Sequence, residues 1–352
     1  MILSIGVKNN QMKRKHLLCF CLLASLLCSC HNKESVLKLK CNQFMIELGN
    51  PIQKDPQYYL DVENEKNKED ILKNAEFSLD ENKIKIIKKY QREYEDVGVY
   101  LATIRYQNES VSFQIIVQDT ISPVILGNDK EHIEVIDYNE IKNIEIVDNL
   151  VTVADIAGNQ TQKTLYKNTK DHIYLDVPYY NQLDVQSPNG CETTALYMAL
   201  KYKKKINMDL VTFIKNEPYH VNPYYGFSGD PFQKTEKEDD YYTIFPSPLI
   251  KYGSQFSPCY NISQSTLEDI KSYLSQGHPI IIWGTGGFRK PVMRTYYFGK
   301  VTKNIHVVLI NGYDDQKQIF FVQDPADKSL KEMSYTQFME VYQSMNFAIR
   351  VE

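Results

Sequence analysis

SPNGCETTALYMAL, residues 187–200, sets a single cysteine between a Pro-Asn-Gly turn and a run in which Ala195, Leu196, Ala199 and Leu200 recur at helical spacing. The spacing predicts a helix over 191–204, with Cys191 at or just before its first turn. Unpaired N–H groups and the helix dipole at such a position favour negative charge and lower a thiol pKa. Gly190 permits the sharp turn that exposes the sulfur. Three readings are open for this cysteine: a small buried hydrophobe, half of a disulfide, or a nucleophile.

The rest of the chain narrows the choice. Its 352 residues are too many for one typical domain. Forty Lys and Arg against 44 Asp and Glu give a formal charge of −4, which offers no footprint for phosphate backbones, so no nucleic-acid partner is expected. At the N-terminus, Lys13, Arg14 and Lys15 precede LLCFCLLASLLCS, an apolar run of signal-segment length and too short to span a bilayer. It ends in LCSC (27–30), which resembles the bacterial lipobox. By that resemblance residues 1–30 are a lipoprotein signal peptide and Cys30 is lipidated. The implied product is exported and anchored by lipid to the outer face of the bacterial cell membrane.

Export changes how the cysteines are counted. Four of seven (Cys19, Cys21, Cys28, Cys30) lie in the leader or at its end, leaving Cys41, Cys191 and Cys259. Three cysteines do not make a disulfide framework for a body this long, although Cys41 and Cys259 could pair.

After a tether at 31–41, residues 42–122 read as a β module. VGVYLATIRY (97–106) and VSFQIIVQD (111–119) alternate in period two around a Gln107–Ser110 turn. A second, short β module follows at 123–168, too small to bury enough surface alone, with DIAGNQTQKT (155–164) as its turn. Both resemble bacterial immunoglobulin-like modules and are read as a spacer, with KNTKDH (167–172) as linker. From 169 to 352 the pattern becomes α+β, with a second helix at 265–276 and strands at PIIIWG, HVVLINGY and QIFFVQD. The Tyr- and Pro-rich stretch 218–260 reads as a long loop lining a cleft. Within it, Glu236, Glu238, Asp239 and Asp240 form an acidic run read as solvated.

A thiolate needs a base. HVVLINGYDDQKQIFFVQDP (306–325) folds back most simply about Asp315, so that antiparallel partners sum to 630 and His306 faces Asp324. Opposed Cβ atoms about 4.5 to 5.5 Å apart let a carboxylate hold an imidazole and fix its tautomer. Cys191, His306 and Asp324 thus form a nucleophile, base and orienter. WGTGGFRK (283–290) lacks the Lys-Ser/Thr ending of a phosphate loop, and no zinc spacing occurs, so neither cofactor nor metal is expected.

YLDVPYYNQ, NGCETTALYMAL, GHPIIIWGT, HVVLINGYDD and VQDP, in that order, resemble the papain-like cysteine peptidases of the bacteriocin-processing, double-glycine type, in the stand-alone exported branch. The resemblance covers about 174–352. It implies an α+β papain-like fold with a central helix against an antiparallel sheet, preceded by the all-β immunoglobulin-like region. It assigns Cys191 as nucleophile, His306 as general base, Asp324 as its orienter and Gln182 as the oxyanion-hole amide. Glu192 departs from the pattern, standing where double-glycine peptidases usually have Gly. The implied activity is hydrolysis of a peptide or protein substrate, with no obligate protein partner; a non-catalytic surface adaptor and an amidase of cell-wall peptides are the competing readings.

Overall fold

A computed structural model describes residues 35–80, 84–235 and 240–352. The leader, Cys30 and three of the four residues of the acidic run (236, 238 and 239) lie outside the described residues.

The first β region holds β1 (Gln43–Glu47), helix α1 (Lys68–Asn74), β2 (Glu76–Leu79), β3 (Ile86–Lys89), β4 (Arg92–Glu95), β5 (Gly98–Tyr106) and β6 (Glu109–Gln118). Its main sheet has the order β1-β6-β5-β2, with β1 parallel to β6. The period-two pattern does what it predicts: Tyr100, Ala102, Ile104 and Tyr106 on β5 and Phe113, Ile115 and Val117 on β6 are buried, packed with Phe44 and Tyr59. The turn is shorter than expected. Tyr106 pairs with Glu109, so only Gln107 and Asn108 lie outside the strands, and Gln107 takes φ +53°.

The second β region comprises β7 (Val124–Leu126), β8 (Glu134–Ile136), β9 (Ile141–Val147), β10 (Leu150–Asp155) and β11 (Gln160–Thr164). Its core is small: Ile125, Val151, Val153 and Leu165. The DIAGN turn closes through Asp155, which accepts from both the backbone N–H and Nδ2 of Asn159.

The C-terminal region contains β12 (His172–Tyr174), α2 (Cys191–Tyr202), α3 (Leu210–Lys215), α4 (Pro246–Gly253), β13 (Cys259–Asn261), α5 (Leu267–Ser275), β14 (Ile280–Thr285), β15 (Met293–Tyr296), β16 (Gly299–Thr302), β17 (Ile305–Asp314), β18 (Ile319–Asp324), β19 (Asp327–Ser334), α6 (Tyr335–Tyr342) and β20 (Ala348–Val351). Among the described residues the main sheet runs β13-β20-β14-β17-β18-β19, with β12 also on β17, and its pairings are antiparallel. Mixed α+β architecture with antiparallel sheets and few helices is the expected class. The stretch 218–260 is not all loop, because α4 begins within it on the first-turn proline Pro246. No described helix is long and apolar enough to cross a membrane.

The spacer reading meets a different arrangement: Leu37–Glu352 cluster as one compact unit. Asn222 Nδ2 donates to the Met45 carbonyl at 2.7 Å, Ser247 Oγ to that of Thr120 at 2.7 Å, and Arg350 Nη2 to that of Gln162 at 2.9 Å. Lys163 Nζ and Asp269 Oδ1 form an ion pair at 2.7 Å with side chains 2% and 1% exposed. The expected linker is pinned as well, with Asn168 Nδ2 and the Lys170 carbonyl both on the Tyr313 hydroxyl. The physical reason is the one that made the second β region too small to stand alone: it completes its burial on its neighbour.

Breaking that pair tests the packing. Lys163→Ala strands the Asp269 carboxylate in a buried site, where the cost is about 3–5 kcal/mol. Urea unfolding reads it directly, and a loss below about 1 kcal/mol would show that the contact is open to water.

Candidate active site

Helix α2 is buried from Cys191 through Leu200 and packs on β17. It follows a short 3-10 turn, Gln182–Val185, and the loop Gln186–Gly190. Gly190 has an ordinary φ of −93°, so the requirement here is space: an added Cβ would run into Ser187 Oγ and against Ile214. Cys191 is the first helical residue and its backbone N–H has no partner within the helix.

The sequence-derived pair is present. His306 Nε2 and Asp324 Oδ1 are 2.6 Å apart, with side chains 13% and 5% exposed. The register that brings them together differs from the expected one. Leu309 pairs with Gln323 and Ile310 with Val322, a sum of 632; past an irregularity, Gly312 with Phe321 through Asp314 with Ile319 sum to 633. The turn is therefore centred beyond Asp315, and Asp324 meets His306 on the diagonal, a separation that long side chains still bridge.

Asp324 is held from several sides. Lys331 Nζ lies 2.9 Å from Oδ2, the Ala326 N–H donates to Oδ1 at 2.9 Å, and the Tyr179 hydroxyl donates to the Asp324 carbonyl at 3.0 Å. Burial works to raise this carboxyl, but the hydrogen bond and charge of His306, with Lys331, outweigh it and hold the group well below the usual carboxylate range. Asp324 is ionised near neutrality. With Nε2 committed to Asp324, Nδ1 is the ring nitrogen of His306 left for exchange with a substrate or a thiol.

Cys191 is drawn to the same place. The backbone N–H of Val307, next to His306, acts on the sulfur and favours its thiolate. Sγ also donates to Glu192 Oε2 at 3.2 Å, and Glu192 Oε1 accepts from the Thr243 hydroxyl. The helix-start argument predicts a lowered thiol pKa, and the structure reverses it. Burial pushes the Cys191 thiol well above its ordinary value, and the Glu192 carboxylate adds to the shift against the Val307 amide. The resting sulfur is a neutral thiol. Burial raises Glu192 as well, opposed by its bonds from Thr243 and Cys191.

Gln182 is buried between the two halves. Its backbone N–H donates to the carbonyl of Pro325, the residue after Asp324, and its Nε2 to that of Pro188 at 2.9 Å, three residues before Cys191. Its Oε1 is buried without a partner. One Nε2–H remains in the amide's inventory.

Cys41 and Cys259 are both free, so the possible pairing does not occur. Burial pushes the Cys259 thiol up to about 12. Gly284, in the glycine-rich stretch that fails as a phosphate loop, pairs with His306, and Phe288 carries Lys331 over its ring. Sequence reasoning treated Glu192 only as a departure from a pattern; its contact with the thiol had no sequence signal beyond adjacency. Lys331 was missed because β19 was not read as a strand.

Residues 174–349 match the model of the Peptidase_C39 like family. No curated protein matches the chain. Among solved structures it is similar to a C39-like peptidase from Bacillus anthracis, at 21% identity and TM-score 0.45, covering 52% of this chain and 98% of that one. It is also similar to xylellain, a cysteine protease from Xylella fastidiosa, at 13% identity and TM-score 0.30, covering 53% and 87%. Cys191, His306 and Asp324 all fall within the matched span, which is half of the sequence, and the chain belongs to the Peptidase_C39 like family.

Proposed function

We propose that this protein is a cysteine peptidase that cleaves peptide bonds with Cys191 as nucleophile, His306 as base and acid, and Asp324 as the residue that orients it. The observation that carries the reading is the 2.6 Å bond from His306 Nε2 to an ionised Asp324, one residue from Val307, whose amide acts on the Cys191 thiol. In this mechanism Sγ passes its proton to His306 Nδ1 as it bonds the substrate carbonyl carbon. Asp324 stabilises the imidazolium, and the Cys191 N–H with the remaining Gln182 Nε2–H serves the oxyanion. The imidazolium then protonates the leaving amine, the C–N bond breaks, and water cleaves the resulting thioester to free the thiol and the acid.

Activation on demand suits a thiol that is neutral at rest. The proton leaves as a substrate carbonyl reaches the sulfur beside His306, and a thiol that keeps its proton between turnovers is less open to oxidation. The apolar leader ending in Leu27-Cys28-Ser29-Cys30 supports export and lipid anchoring through Cys30 at the outer membrane face. The parallel pairing of the first strand with the last in the first sheet supports an immunoglobulin-like reading of residues 42–122.

Two measurements bear on this. Digesting proteome-derived peptides with wild type and Cys191→Ala, read by mass spectrometry, should give new termini with wild type alone; the same peptides from both would overturn the assignment and leave a binding role. Glu192→Gln replaces an acceptor that opposes the thiolate with a donor that supports it. Its alkylation by iodoacetamide at pH 6 should rise about tenfold, equivalent to one pKa unit. An unchanged rate would mean that Glu192 does not hold the thiol in its neutral form.

A further inference from the structure

Three carboxylates far from the catalytic cysteine in sequence converge where the two β regions meet. Asp119 follows β6, Asp137 follows β8 and Asp155 ends β10, and one oxygen from each lies within 4.8 Å of the others. Asp137 and Asp155 are buried, at 7% and 0% exposure, and Asp119 is half-buried.

Their hydrogen bonds come from amides. Asn139 Nδ2 donates to Asp119 Oδ2 at 2.7 Å, and the Asn139 N–H to Asp137 Oδ1 at 2.6 Å. The Asn159 N–H and Nδ2 donate to the two oxygens of Asp155, both at 2.9 Å. Lys89, the cation that acts on Asp137 through space, gives its Nζ proton to the Asn139 carbonyl at 2.7 Å. Asp137 is therefore left with Oδ2 to offer the cluster, and that atom is buried with no hydrogen-bond partner.

Among the described residues Lys89 reaches Asp137 only through space and no side-chain cation pairs directly with any of the three, so carboxylates gathered this closely in a largely buried site are costly without a counter-charge. An ion would supply what is absent. The donors are all oxygens, the set that hard cations take. Two oxygens on opposite sides of a calcium ion stand about 4.6 to 5.2 Å apart, twice the metal–oxygen distance, whereas magnesium requires about 4.0 to 4.2 Å in a near-ideal octahedron. The 4.8 Å limit on this group admits either ion, and three protein carboxylates favour calcium, because magnesium is usually held by one or two and keeps several waters. Asp119 and Asp137 also line a cavity of about 140 Å³, together with Ser247, Asn261 and Asn346 of the C-terminal region, which has room for the water ligands such an ion keeps.

We propose that Asp119, Asp137 and Asp155 form a calcium-class divalent cation site that ties the two β regions together beside their seam with the C-terminal region. The site stands independently of the peptidase reading. Thr120, next to Asp119, accepts the Ser247 hydroxyl at its carbonyl, so an ion on Asp119 would also steady the contact with α4.

The test uses the purified full chain after chelator treatment and gel filtration. Thermal unfolding at pH 7.5 is followed in chelator, in 5 mM CaCl₂ and in 5 mM MgCl₂, and calcium binding is measured by titration calorimetry. Calcium should raise the unfolding midpoint by several degrees and bind at one per chain. Asp137→Asn, whose amide oxygen can still accept the Asn139 N–H, should abolish both effects while remaining folded. Should that variant fail to fold, the wild-type titration decides: one saturable site supports the proposal, and no heat up to 10 mM calcium overturns it. An undiminished shift in folded Asp137→Asn overturns it too, and a magnesium shift equal to that of calcium overturns the assignment to the larger ion.

Discussion

The packing of a wholly buried α2 against β17 is the constraint on which the site depends. Because Cys191 through Leu200 are buried on every side, the helix has no freedom to roll or slide without opening voids in the core. Cys191 at its start is thereby placed against Val307, and His306 is the residue beside it on the strand. The proposed nucleophile and base are thus positioned by apolar packing, and polar contacts refine what packing has set. Gly190 belongs to the same constraint, since the turn into the helix passes too close to Ser187 and Ile214 for a side chain.

That placement has an electrostatic consequence. Burial disfavours every charge in the site, but its members respond differently. Asp324 has cationic and N–H partners in Lys331, His306 and Ala326, and stays ionised. Cys191 has one amide in its favour and the Glu192 carboxylate against it, and stays neutral. Glu217 lies beneath, bonded by the Thr193 hydroxyl, and burial pushes it well above its ordinary value with Glu192 adding. The site therefore separates a fixed anion on the sheet, bonded to His306, from a proton-holding thiol on the helix. Environments that push titratable groups apart in this way are suited to proton transfer near neutral pH.

Much of this was legible in the sequence, for definite reasons. The helix at 191 and the strands around 306 and 319 carry strong apolar patterns because they are among the most buried elements, and burial is what periodicity records. The pairing of His306 with Asp324 was found through a register off by two, because the true turn is centred one to two residues further, which moves the sum to 633, and the irregularity at Ile310–Gly312 takes one back. The contact survived because diagonal neighbours on one face still meet. The thiol pKa went the other way: a helix start is visible in sequence, but the desolvation that overrides its dipole depends on neighbours such as Thr243, distant along the chain. α4 was hidden by its prolines, since Pro246 and Pro248 read as loop although a proline in the first helical turn costs no hydrogen bond.

The β regions were read from their own patterning, and patterning along a strand says nothing of what lies against the finished sheet. The decisive residue on the other side is Asp269. It closes the capping box of α5, accepts the Gly127 N–H at 3.1 Å and pairs with Lys163. Helix α5 packs on β14 and β17, so one carboxylate fixes both the helix beside the catalytic sheet and the second β region beyond it. Arg350 on β20 extends the link, with its guanidinium buried over Tyr273 and bonded to the Gln162 carbonyl. Without residues 123–168 Asp269 would lose its ion pair with Lys163 and Arg350 its bond to the Gln162 carbonyl, leaving Asp269 only its capping contacts with Thr266 and Arg350 its pair with Glu352. The β segment is for that reason part of what holds the sheet of His306 and Asp324 in place, and a spacer role can only be additional to it.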